Sequence, residues 1–212
     1  MSKAPETHTV VHRDYNLERL VVLSDAVFAI AMTLLALELK PPEIWDGKVS
    51  SLFQAMRGAL LAYGVSFAAA AGYWSSHRRS FRLFLKTDGP LTLLGLLSLG
   101  LVTLLPVVTR LLMQHGAARG ALLIYLSLIA AIGVANALTW GYASLRGGVV
   151  DPRTPARFRL VHFAILLFAP LAFCVLSFLT ATQAGPWLWV ALAGVAAAIA
   201  LARRWAGKEK GS

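Results

Sequence analysis

Charge and sulfur are what this sequence has least of. Only 14% of its 212 residues are charged, ten are acidic, and there is one cysteine, Cys174. A single cysteine excludes an internal disulfide and a thiolate metal cluster. Set within an apolar run, Cys174 reads as a small buried hydrophobe. The five histidines (His8, His12, His77, His115, His162) have neither nucleophile–base nor metal-ligand spacing, so neither an enzyme nor a resident metal or cofactor is expected. Residues 1–18 are polar and lack the short apolar core and cleavage site of a secretory signal. The first apolar segment is therefore expected to stay in the protein.

What the chain does have is apolar length. Hydrophobic residues make up 58% of it, and mean hydropathy is +0.66. A soluble domain of this size has no use for so much apolar surface, whereas several membrane helices do. Six segments approach the ~20 residues a spanning helix needs: 19–39, 52–76, 90–113, 120–144, 158–180 and 186–205. The expected fold is an all-α membrane protein of six transmembrane helices, with 1–18 as a cytoplasmic segment, 19–205 as the membrane domain and 206–212 as a cytoplasmic tail. Pro41-Pro42 follows the first helix, Gly89-Pro90 opens the third and Gly185-Pro186 the sixth, because proline is tolerated in a first turn but not further in. Pro106 and Pro170 fall inside segments three and five, where they predict kinks.

The net charge of +10 invites a nucleic-acid reading, but its distribution favours another. With the N-terminus inside, the inner face holds Lys3, Arg13 and Arg19, the 78–86 loop (Arg78, Arg79, Arg82, Lys86), the 146–159 loop (Arg146, Arg153, Arg157, Arg159) and the tail (Arg203, Arg204, Lys208, Lys210). Only Lys40, Lys48, Arg57, Arg110 and Arg119 remain outside. This is the positive-inside asymmetry of six spans with both termini cytoplasmic. Anionic lipid headgroups, not nucleic acid, are the expected basic-face partners. Trp45, Trp140, Trp187, Trp189 and Trp205 sit near expected helix ends, as an interfacial aromatic belt would place them. Small residues crowd 67–72 and 193–198, which lets membrane helices approach closely.

The segment from Arg19 to Pro41 carries Ser24-Asp25, and a carboxylate in a membrane-length helix needs protein or water around it. A helix turns ~100° per residue, so with Ile30 at zero Thr33 falls at about −60°, Leu34 at about +40° and Leu37 at about −20°. Asp25 lies at about −140° and Phe28 at about 160°, on the opposite side. The helix thus has an apolar stripe with one hydroxyl and a separate face with the carboxylate. Asp25 and Arg19 are not i,i+4 partners. A partner from another helix is expected, and Trp74 and His77 share a face at i,i+3 near the end of segment two. Both could donate to Asp25; alternatively, His77 simply sits at the interface beside Arg78-Arg79.

Arg19 followed by Leu23-Ser24-Asp25-Ala26-Val27-Phe28-Ala29-Ile30-Ala31-Met32-Thr33 resembles the first-helix signature of the transmembrane protein 175 family: arginine, three residues, then phenylalanine-serine-aspartate. Trp74 with His77, and Leu104-Leu105-Pro106 with Thr109, fit the family pattern too. Leu23 replaces the usual phenylalanine, and Leu94-Gly95-Leu96 stands where an asparagine is expected, so a polar link between helices is missing there. The resemblance implies a potassium channel, lysosomal in animals and in the plasma membrane in prokaryotes. It implies six helices per chain and a homotetramer whose pore is lined by the first helix, without a TVGYG-type filter. By position, Ile30, Leu34 and Leu37 become pore constrictions and Thr33 the ring of hydroxyls facing permeant potassium. Arg19, Ser24, Asp25, Trp74 and His77 become the interhelical network. The angular reading places Arg19 instead on the stripe, at about −20°, so it either lines the inner mouth or wraps back to the network. The alternative function is a proton- or cation-coupled secondary transporter using Asp25 and His77.

Overall fold

A computed structural model of the chain describes residues 14–116 and 118–181. Those residues form helices α1 (Tyr15–Leu37), α2 (Val49–Phe81), α3 (Gly89–Thr103), α4 (Leu105–His115), α5 (Arg119–Leu145) and α6 (Ala156–Ala181). The expected sixth span, with Trp187, Trp189 and Trp205, lies outside the described residues, as do the chain before Asp14 and the tail. Among the described residues, four stretches are long and apolar enough to cross a bilayer: α1, α3 with α4 taken as one span, α5, and α6 as far as Leu179. α2 is the longest of these described helices at 33 residues, about 50 Å at 1.5 Å per residue.

Several boundaries differ from the expected ones for local reasons. α1 begins at Tyr15 because Asp14 caps it, its carboxylate accepting the Asn16 amide, with Glu18 in the first turn. α2 runs on to Phe81, so Arg78 and Arg79 lie in its last turn, where positive charge suits the helix dipole, and not in a loop. At Pro106 the expected kink is an interruption. The chain leaves α3 at Thr103, Leu104 donates to Leu101 O in a tighter turn, and α4 restarts with proline in its first turn. α6, by contrast, continues through Pro170. That ring packs against α5 at Gly133, where an added Cβ would lie 3.0 Å from Pro170 Cβ and Cδ. Glycine there lets the two helices approach.

α1 is wedged against α2, α3 and α4, while α5 packs mainly against α6, α3 and α4. The buried residues of α1 are Leu17, Leu20, Ser24, Phe28, Ala31 and Leu35, which recur at three- and four-residue steps and make one stripe. Leu17 and Leu20 join Phe81, Phe84, Leu91 and Trp140 near the start of α1. Phe28 and Ala31 meet Leu99, Val102 and Ile132 halfway along. Leu35 meets Ala70, Leu105, Tyr125 and Ile129 towards the far end.

At the N-terminal end of α1 the connections clasp one another. Phe84 and Val150 form an isolated antiparallel bridge, with Leu85 N donating to Val149 O and Asp151 N to Leu83 O. Asp14 joins the clasp, its amide donating to Leu85 O and its carboxylate accepting from Thr87 N. Asp88 caps α3 through the Leu91 amide and also receives the Tyr142 hydroxyl at 2.8 Å and Arg146 Nε at 2.9 Å. At the opposite end, Glu38 pairs with Arg110 at 3.6 Å, tying the end of α1 to α4.

Two side chains sit differently from the sequence expectation. Trp140 does not face outward: it is fully buried, stacked on Phe84, and donates its indole hydrogen to Arg159 O, so protein satisfies the group that a headgroup would. Cys174 is exposed, not buried. In a membrane helix an apolar residue has no general preference for the protein side over the lipid side.

Candidate functional site on the first helix

α1 presents two faces. Ser24, Phe28, Ala31 and Leu35 face the chain's own bundle, whereas Ile30 (58% exposed), Leu34 (41%) and Leu37 (72%) are open, with Thr33 on the same side. Val22 and Leu23 continue the open stripe towards the N-terminus. The Thr33 hydroxyl donates to Ile30 O at 2.8 Å, one turn back on its own helix. Its hydrogen is thereby used up and its oxygen lone pairs are left facing outward.

Behind this helix lies a set of buried and part-buried polar groups. Trp74 Nε1–H donates to Asp25 Oδ1 at 2.8 Å, and the Arg78 guanidinium covers the Trp74 ring at 4.9 Å. The Asp25 carboxylate of α1 thus meets an indole and a cation that lie one turn apart on α2. His77 does not reach Asp25 by a hydrogen bond. Its Nε2 lies 3.0 Å from Ser24 Oγ and its Nδ1 3.2 Å from Asn136 Oδ1. The imidazole is held flat by stacking on Phe81 at 4.1 Å, and Phe28 leans on it at 5.8 Å. Ser24 Oγ–H donates to Leu20 O at 2.7 Å.

Arg19 takes no part in this cluster. It is exposed on the open side of α1, its guanidinium 5.7 Å from the centre of the Tyr15 ring. At six residues before Asp25 the helix turns it to the other face, and its side chain does not wrap back.

Sequence reasoning missed two members of the cluster, Ser98 on α3 and Asn136 on α5. The Ser98 hydroxyl donates to Asn136 Oδ1 at 3.2 Å. At Gly95, where a polar residue was expected, an added Cβ would lie 3.4 Å from Leu20 Cδ2, so the position is filled by packing. Polarity arrives one turn later on the same helix and from α5. A lone asparagine in an otherwise apolar membrane-length segment was the available signal, since an unpaired amide is costly there. Thr109 belongs to a second buried cluster nearer the far end: its hydroxyl hydrogen goes to Leu105 O at 2.8 Å, its oxygen lies 2.8 Å from Ser66 Oγ, and Ser66 Oγ lies 3.1 Å from Tyr125 Oη.

This arrangement has counterparts. The family described as the endosomal/lysosomal potassium channel TMEM175 matches residues 19–106, the stretch that carries α1, the Trp74/His77 turn and the break at Pro106. A potassium channel of Streptomyces collinus is 32% identical over 157 residues, 69% of this chain and 75% of that one. A potassium channel of Chamaesiphon minutus is 38% identical over 133 residues, 59% of this chain and 65% of its own length. The human endosomal/lysosomal proton channel TMEM175 is 29% identical over 131 residues, of which this chain spans a quarter of the length (25%). Among solved structures, the lysosomal potassium-selective channel TMEM175 homolog from Chamaesiphon minutus superposes with a TM-score of 0.72 at 28% identity, covering 92% of this chain and 98% of that one. The chain is an integral membrane protein that belongs to the TMEM175 family of ion channels.

Proposed function

We propose that the protein is a potassium-selective cation channel of the plasma membrane. It assembles as a homotetramer of six-helix subunits with both termini cytoplasmic, and four copies of α1 converge on the ion path. The observation that carries this reading is the division of α1. A helix held by its own bundle along Ser24, Phe28, Ala31 and Leu35 leaves Ile30, Thr33, Leu34 and Leu37 open on the opposite side. Four such stripes facing one another make a narrow apolar passage, which stops ions by dewetting when tight and conducts after a small outward movement. Thr33 supports selectivity by offering oxygen lone pairs while its hydrogen is engaged with Ile30 O. No fixed charge lies on the stripe between Ile30 and Leu37, so preference among cations comes from dehydration and hydroxyl coordination, and is moderate.

A coupled transporter using Asp25 and His77 as a relay has less support. Asp25 is bonded to Trp74, and His77 to Ser24 and Asn136, so the two are not linked by a direct hydrogen bond. The deciding experiment is potassium and sodium flux through purified protein in vesicles, for wild type, Ile30→Asn and Thr33→Ala. Downhill potassium flux is expected, with increased, less selective cation flux in Ile30→Asn and a reduced potassium preference in Thr33→Ala. Unchanged conductance and selectivity in Ile30→Asn would remove the constriction from Ile30, and movement of potassium only against a proton gradient would favour the transporter.

A further inference from the structure

The hydrogen-bond donors around His77 do not balance with the Asn136 amide oxygen facing the ring. Ser24 has one hydrogen, and Leu20 O takes it at 2.7 Å. With that hydrogen on the shorter contact to Leu20 O, Ser24 is an acceptor towards His77 and Nε2 carries the proton. A neutral imidazole protonated at Nε2 has a bare Nδ1, which needs a donor; an amide oxygen 3.2 Å away supplies none. Meanwhile Asn136 Nδ2 is buried with no partner among the described residues. Protonating both ring nitrogens would satisfy Nδ1 but would bury a charge and still orphan Nδ2. A half-turn of the amide improves the count. Nδ2 then gives one hydrogen to His77 Nδ1 and the other to Ser98 Oγ. The amide oxygen and the Ser98 hydroxyl hydrogen, which had been paired with each other, are left short in place of both amide hydrogens and Nδ1.

The geometry points to Asn136 as a positioning residue for the pore helix. Its amide nitrogen fixes the Nε2–H form of His77, so donation runs one way from Asn136 on α5, through His77 on α2, to Ser24 and Leu20 O on α1. Four helices meet at this point, since Ser98 contributes from α3. Asn136 touches no ion. It acts by holding the rotation of α1, whose far side carries Ile30, Thr33, Leu34 and Leu37; this consequence for conduction rests on the channel reading above. A bare hydrophobic contact at the same place would hold α1 close without choosing its rotation, because packing is less directional than a hydrogen bond.

The test combines two readouts on the full chain in lipid vesicles. Nitrogen NMR of ¹⁵N-histidine-labelled protein, with the His77 signals identified by their loss in His77→Gln, should show Nε2 protonated and Nδ1 bare at neutral pH. In Asn136→Asp the carboxylate can only accept, so Nδ1 should become protonated. The potassium-over-sodium permeability ratio should fall about fivefold in both Asn136→Asp and Asn136→Leu, the equivalent of one lost buried hydrogen bond. A protonated Nδ1 in wild type overturns the assignment, and so does a wild-type permeability ratio in both variants. If Asn136→Leu fails to fold, the near-isosteric aspartate and the wild-type spectrum decide. Wild-type vesicles that pass no potassium would remove the channel reading, while the nitrogen signals, read without any flux, would still establish or overturn the amide's orientation.

Discussion

Phe28 and Ile30 stand two residues apart on α1 and meet opposite surroundings. Phe28 is fully buried among Ala31, Leu99, Val102 and Ile132, with the His77 ring against its edge. Ile30 is more than half exposed although it is just as apolar. In water such an open stripe would be a liability or a docking face. In a membrane helix, lipid tolerates apolar side chains anywhere, so the informative signal is the polar content of each side. The buried side holds Ser24, with Asp25 beside it; the open side holds only Thr33 between Ile30 and Leu37. One side is fastened by directional bonds and the other is left free of them, which is what a helix needs if its free side is to meet copies of itself.

That contrast can be broken first on the fastened side. Phe28→Ala should cost about 3–5 kcal/mol, the usual loss for a fully buried phenylalanine, read as a large drop in the temperature at which the detergent-solubilised protein stays monodisperse. Leu37→Ala on the open side should shift the same midpoint little. Equal losses at both would mean that the two faces are not distinct. Next, Trp74→Phe removes the donor to Asp25 and leaves a part-buried carboxylate unpaired, at a cost of about 1–3 kcal/mol. Asp25→Asn, which keeps an acceptor, should cost less. A reversed order would mean that Asp25 is held by something other than the indole.

Gly133→Ala sharpens the comparison from a distance, since it presses α5 away from the Pro170 ring of α6 without touching α1. Overpacking of this kind costs about 1–3 kcal/mol. Stability should fall while the potassium-over-sodium ratio holds; a changed ratio would show that α6 also sets the rotation of α1. The smallest effect concerns the clasp. Desolvation by itself would raise the Asp88 carboxyl, but the Leu91 amide, the Tyr142 hydroxyl and the Arg146 and Lys86 charges outweigh it and hold the group below the usual carboxylate value. A depressed folded-state value means stability that is complete at neutral pH and is lost as acidification passes the ordinary carboxylate range and then the folded value. Thermal midpoints should therefore decline slightly in acid, and Asp88→Asn should flatten that decline; an identical acid profile would show that Asp88 contributes nothing.

The two faces of α1 were legible in the sequence because a single helix has a fixed period, and because Trp74 and His77 repeat at a spacing that shares a face. Trp74 does donate to Asp25, but the partners of His77 were not legible. His77 bonds to Ser24 and Asn136 instead of Asp25, a matter of helix depth and rotation that no one-dimensional spacing encodes. Asn136 and Ser98 lie on helices that are apolar all round, so nothing in their own segments says which side faces inward. Trp140 misled for a related reason: tryptophan near a helix end is ordinarily interfacial, but here a carbonyl at the start of α6 takes the place of a headgroup. Arg19 was placed by angle on the open face and by resemblance in the network, and its position over Tyr15 on the exposed side follows the angle.

The adjacent pair Leu34 and Leu35 offers the most direct test, because one is open and its neighbour is fully buried. With Cys174, itself exposed, first replaced by serine, single cysteines at Leu34 and at Leu35 are treated with a small water-soluble thiol reagent while cation current is recorded. If the open face of α1 lines the ion path, the cysteine at 34 is modified in conducting channels and current falls, while the cysteine at 35 leaves current unchanged. Block at 35 with none at 34 would contradict the account.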